Sequence, residues 1–103
     1  MSRAFVIRPE AEDDLADARR WYEGRRDGLG DEFIEQVDAA FQLVQQIPLV
    51  PTPKYQNVRR VLLKRFPYAV FYHVDDAQIT VIAVYHTSRD PRGWQSRVSD
   101  DQP

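Results

Sequence analysis

Cysteine is absent from this 103-residue chain. That excludes disulfides and thiolate metal sites and fits a reducing compartment, here expected to be the cytoplasm. No apolar run approaches the ~20 residues that a membrane-spanning helix needs. The opening "MSRAFVIRPE" holds no long apolar segment either, so neither a signal peptide nor membrane association is expected. There is no glycine-rich phosphate loop, no G-x-S-x-G and no H-E-x-x-H. Only two histidines occur, His73 and His86, thirteen residues apart. With no thiolate to join them they make a poor metal site, so no metal or other cofactor is expected.

What is present is a globular composition, 43% apolar and 12% aromatic. A chain of this length is expected to form one domain, residues 1–103, burying roughly 65% of the surface its unfolded form exposes. Residues 99–103 are expected to be a disordered tail. The net charge of −2 argues against a generally basic nucleic-acid binder. The average conceals a split. Residues 1–53 hold six basic and eleven acidic side chains; residues 54–98 hold eight and three. Such a split reads either as one positive surface for a polyanion or an acidic partner, or as solvated faces of acidic helices and basic strands.

Hydrophobic spacing divides the chain into elements. "RAFVIR" (3–8) reads as a short strand, and Pro9 suits the first turn of a helix. Ala11, Leu15, Ala18 and Tyr22 then form one stripe of period 3.6, ending near Gly24. "RRDGLG" is a tight connection. Phe33, Ile34, Val37, Phe41, Val44 and Ile47 mark a second amphipathic helix, with Asp27 or Asp31 as its cap and Pro48 at its end. The many carboxylates here are expected to be solvated helix faces. "PLVPTP" is an irregular connector. Strands follow at 57–64, 68–74 and 78–86. The expected fold is α+β, in the order β-α-α-β-β-β, with a helical hairpin packed on a small, mostly antiparallel sheet.

If Asp76 and Ala77 form the last hairpin turn, His73 faces Thr80, Phe71 faces Ile82, Ala69 faces Val84, and His86 falls opposite Pro67. One sheet face then carries Ala69, Phe71, Ile82 and Val84, and the other carries Tyr68, Val70, Tyr72, Val81, Ala83 and Tyr85. Both are largely apolar. Two helices cover one, so the other is expected to meet a partner. The same pairing gathers Lys64, Arg65, His86, Arg89 and Arg92 at one end of the sheet. A histidine among cations suits a base better than an acid. The competing reading is a strand-end histidine bonded to backbone. Trp94 either stacks on a base or caps the core.

In order along the chain, "RPEAEDDLADARRWYE", "GLGDEFIEQV", "VRRVLLKRFPYAVFY" and "VYHTSRDPRGW" resemble the ParE/RelE family of small bacterial toxins, over about residues 4 to 94. The resemblance, closer to the ParE-like branch, implies the toxin of a type II toxin–antitoxin pair, also described as a plasmid-stabilisation protein. A ParD-like antitoxin would bind it in a hetero-oligomer, and Ala69, Phe71, Ile82 and Val84 are expected as its antitoxin-binding face. ParE-like members poison DNA gyrase without a recognised catalytic set. RelE-like members cut mRNA on the ribosome. Arg60, Lys64, Arg65, Arg89, Arg92 and Trp94 are the expected target-binding residues, and His86, Arg89 and Arg60 would be catalytic only in an RNase. Leu62 and Ala69 stand where cleaving members place cations, which favours the gyrase poison over an endonuclease. A third reading is an inactive module kept for its antitoxin complex.

Overall fold

A computed structural model describes residues 3–100, with side chains as far as Val98. The chain runs β1 (Ala4–Ile7), α1 (Pro9–Arg25), α2 (Leu29–Gln46), β2 (Arg59–Leu62), β3 (Tyr68–Val74), β4 (Gln78–His86) and α3 (Arg92–Asp100). The class is α+β, as the spacing predicts. Proline opens α1, with Glu10 and Glu12 in the first turn and Arg25 in the last, which complements the helix dipole. On α2 the buried residues Phe33, Val37, Ala40, Phe41 and Val44 form a single stripe.

Neither Asp27 nor Asp31 caps α2. Its N-cap is Gly28, and the job falls to Glu23 on α1, whose carboxylate accepts the amides of Gly28 and Gly30 at 3.0 Å each. The two helices are thereby clamped across their turn. Gly30 lies so close to α1 that a Cβ there would sit 2.8 Å from the Arg19 carbonyl.

The sheet order is β1-β4-β3-β2, with β1 parallel to β4 and the other pairs antiparallel. Helices α1 and α2 cover one face, where Phe33, Val37 and Val44 meet Val70, Tyr72, Val81 and Val84. The proline connector is pinned beside them: the Tyr72 hydroxyl donates to the Pro48 carbonyl at 2.8 Å, and Arg59 donates to those of Leu49 and Pro51.

Three further expectations need correction. The first is α3, a helix that the expected order β-α-α-β-β-β does not contain. It covers the second sheet face, stacking Trp94 on Phe71 at 4.2 Å and packing with Val98 against Ala69, Ile82, Ala83 and Tyr85. Gly93 is required there, because a Cβ would overlap the Tyr85 hydroxyl. The second is the tail: Ser99 and Asp100 belong to α3, while 101–103 lie outside the described residues. The third is the register. It holds through His73↔Thr80 and Tyr72↔Val81, then shifts at a bulge so that Phe71 pairs with Ala83 and Tyr68 with His86. Ile82 is the extra residue, and from there the faces exchange. Val84 turns under the helices, Ala83 and Tyr85 turn toward α3, and His86 faces Tyr68 rather than Pro67.

β4 also outlasts its parallel neighbour. The pairing of β1 ends at Ile7↔Val81, and the chain leaves after the Arg8 amide bonds the Val81 carbonyl. Further along β4, Asp14 of α1 accepts the Val84 amide at 3.0 Å, and Arg97 of α3 donates to the Ile82 carbonyl at 3.1 Å. The two side chains meet each other in a bidentate pair at 2.7 and 3.0 Å. Asp14 is 10% exposed and Arg97 18%. The carboxylate holds the Arg97 guanidinium above its usual value although burial opposes this.

Removing one partner of a buried pair leaves the other charge uncompensated, at a cost of about 3–5 kcal/mol. Asp14→Ala and Arg97→Ala should each destabilise by that order in urea unfolding. The double variant should lose much less than the sum of the two. Additive losses would mean that the residues act separately.

Candidate functional site

The end of β4 turns back on itself. The Thr87 amide donates to the Pro67 carbonyl, and the Arg89 amide to that of His86. The Ser88 amide donates to His86 Nδ1 at 3.0 Å. In the neutral ring that bond occupies the acceptor nitrogen and leaves Nε2 with the proton, so the free nitrogen is a donor. The turn also returns Arg89 over the Tyr85 ring, 4.4 Å from its centroid. The His86 ring meets the edge of Tyr68 at 5.3 Å.

Between this turn and α1 lies a groove of about 470 Å³. Ala18 and Val84 form its apolar floor, with Asp14 beside them. Trp21, Tyr22, Pro67 and Tyr68 wall it, and Asp17, His86 and Arg89 complete its lining. Burial pushes the phenols of Tyr22 and Tyr68 up, so both remain protonated donors at neutral pH. Asp14 is neutralised by the part-buried Arg97, whereas Asp17 makes only a solvent-exposed contact with Arg20 at 3.3 Å. Among the described residues Arg89 has no carboxylate partner. A second groove, about 420 Å³, runs between α2 and the edge strand β2, with Leu43 and Leu62 exposed and Lys64 in its lining.

The expected site residues are therefore distributed. His86 and Arg89 share the first groove. Arg60 is half-buried and pairs in register with Phe71, on the α3 side of the sheet. Arg65 is bound to Glu32 on α2 at 2.8 Å, and Arg92 forks onto Asp90. Trp94 is 5% exposed and serves the core, which corrects its assignment to target binding. Of the expected antitoxin-binding set, Ala69, Phe71 and Ile82 lie in the cluster under α3, and Val84 lies on the opposite face. All four are buried, so the open second face is likewise corrected. Local sequence pattern does not group the aromatic walls, which come from separate segments. Their signal was Trp21, a large apolar residue beside Tyr22 but off the buried stripe of α1, and 54% exposed.

Among the described residues no group of three or more His, Asp or Glu is placed to hold a metal ion, and no helix is long and apolar enough to cross a membrane.

Residues 5–91 match the family described as "ParE toxin of type II toxin-antitoxin system, parDE", and the chain belongs to that family. It is 28% identical to Toxin ParE2 of Mycobacterium tuberculosis, in strains CDC 1551 / Oshkosh and ATCC 25618 / H37Rv, over 100 residues that cover 96% of this chain and 95% of that protein. Its fold matches a solved structure described as the chromosomal ParDE TA system from P. aeruginosa, with a TM-score of 0.73 and 15% identity, covering 84% of this chain and 98% of that one.

The Arg65 contact has a pH signature. Hydrogen bonds from Arg65 and then Arg26 hold the Glu32 carboxyl below its usual range. A depressed folded value adds stability that is complete above the unfolded value, ~4.3, and is lost as pH falls through the folded one. Glu32→Gln should therefore lower Tm at neutral pH, and the gap from wild type should close in acid. A gap independent of pH would show that ionisation of Glu32 is irrelevant.

Proposed function

We propose that this protein inhibits growth by poisoning DNA gyrase in the cytoplasm, and that a ParD-like antitoxin neutralises it in a hetero-oligomer. The state of His86 carries the choice of target. Cutting RNA through its 2′-hydroxyl needs a base to take that proton and cations to hold the developing phosphate charge. The acceptor nitrogen of His86 already takes the Ser88 amide. Leu62 and Ala69 supply no charge, and Arg65 and Arg92 are held by carboxylates. Loss of one such electrostatic donor costs about 10²–10³ in rate. Arg60, Lys64 and Arg89 remain without carboxylate partners among the described residues and are the cations proposed to meet the target.

Induction without antitoxin should block DNA replication and provoke a DNA-damage response while ribosome-bound mRNA stays intact. Purified protein should inhibit gyrase supercoiling or trap the cleaved complex, and Arg60→Glu with Arg89→Glu should abolish this at unchanged circular dichroism. Primer extension on mRNA from the same cells provides the opposing test. Codon-phased cuts that vanish in His86→Ala, with gyrase unaffected, would make the protein a ribosome-dependent endonuclease. No response from either target would leave a module kept only for binding its antitoxin.

A further inference from the structure

Strand β2 is the outer strand of the sheet on the side away from β1. Just past its end, the Leu63 amide donates to the Tyr68 carbonyl at 2.9 Å. Backbone groups alternate along an antiparallel pair. Those of Arg59 and Val61 therefore also point at β3, and those of Arg60 and Leu62 point to the open edge. Among the described residues no loop backbone bonds either of the two. The Val58 carbonyl is already taken by the Lys54 amide, which confines the free edge to Arg60 and Leu62.

Exposed apolar surface gathers on the same side. Of the seven large apolar side chains that stand exposed among the described residues, five belong to the end of α2, the connector and β2: Leu43, Ile47, Leu49, Val50 and Leu62. Arg59 ties the connector beside the strand through the carbonyls of Leu49 and Pro51. In the groove between α2 and β2 the helix presents Gln36, Ala39, Gln42, Leu43 and Gln46, and no charged side chain. An uncharged wall beside unpaired strand backbone suits another protein strand rather than a polyanion.

We infer that β2 pairs antiparallel with β2 of a second copy of this chain, about a two-fold axis at Val61. A two-fold contact uses the same patch twice, so charge selects its register. An axis at Arg60 would set two arginines opposite each other, and an axis at Leu62 would set Arg60 opposite Lys64 of the other copy. With the axis at Val61, Arg60 faces Leu62 and Arg59 faces Leu63, so each of these cations meets an apolar residue. Arg60 and Leu62 of each copy then exchange both backbone bonds with Leu62 and Arg60 of the other. The uncharged wall of each α2 faces its counterpart across the axis, and Leu62 packs beside the stem of Arg60 on the α3 side. This edge shares no lining residue with the groove of His86 and Arg89, which stays open in the pair. The inference rests on the fold alone.

The chain has no cysteine, so a single introduced one reports the axis. Val61 would face its own copy in a non-hydrogen-bonded pair, with Cα atoms about 4.5 Å apart and within disulfide reach. Under mild oxidation Val61→Cys should form a covalent dimer, and Leu62→Cys, whose counterpart lies diagonally, should form far less. Sedimentation of the unmodified full chain should show a concentration-dependent equilibrium of monomer and dimer. Leu62→Lys, which sets a cation against Arg60, should weaken the dimer about tenfold or more, and Leu62→Glu, which sets a carboxylate there, should tighten it. Leu62 is 56% exposed, so circular dichroism should be unchanged in both.

A chain that sediments as a monomer at every concentration, with Val61→Cys failing to cross-link, would overturn the proposal. A dimer that treats the two charged Leu62 variants alike has its contact elsewhere or in another register and would overturn it as well. Protection of the Arg60 and Leu62 amides from hydrogen exchange that appears only on adding the product of the adjacent reading frame would give this edge to the antitoxin and also end the proposal.

Discussion

The pairing of Asp14 with Arg97 takes the place of a missing piece of strand. β1 stops at Ile7 while β4 continues to His86. A buried backbone edge without partners would cost stability, and here two side chains supply them: a carboxylate for the Val84 amide and a guanidinium for the Ile82 carbonyl. Asp14 comes from the helix on one face of the sheet and Arg97 from the helix on the other. Their contact passes through the gap that β1 leaves. The position of α1 over the end of β4, and with it the groove, depends on this contact, because Asp14 itself lies in the groove lining.

The bulge at Ile82 decides which chemistry faces which layer. Without it, Val84 and His86 would lie on the α3 side, and Ala83 and Tyr85 under α1 and α2. With it, His86 meets Tyr68 in the groove, while Tyr85 packs beside Trp94 and carries Arg89 on its ring. A single extra residue therefore sets both the floor of the groove and the platform for its arginine.

β3 and β4 were legible to the residue, because uninterrupted apolar runs bounded by Asp75–Ala77 and by the charged turn have few other uses. α2 was legible from its single apolar stripe. The bulge was not, for a physical reason: residues 79–85 are buried whichever way they face, so no polar residue marks the change of phase. α3 escaped because only Trp94 and Val98 of its described side chains are buried, and a spacing of four residues among charges is too little pattern to read. The site was half legible. His86 and Arg89 are neighbours in sequence and were grouped. Tyr22 and Tyr68 come from distant segments and meet only in the fold, at 6.0 Å between ring centroids. The Arg65–Glu32 bond spans 33 positions and left no trace in local charge.

The parallel pairing of β1 with β4 constrains the order of assembly. Ala4 finds its place beside Gln78, and Asp14 reaches Arg97 across 83 positions of sequence. Contacts of such separation form late, because closing the intervening chain is entropically expensive. During synthesis the first strand and first helix emerge long before their neighbours exist. The α1–α2 hairpin, closed by the local Glu23 clamp, can form early; the sheet edge cannot be completed until the residues of α3 have left the ribosome. A newly made chain thus acquires its finished groove only after α3 has emerged, well after the hairpin that supplies one of its walls has closed.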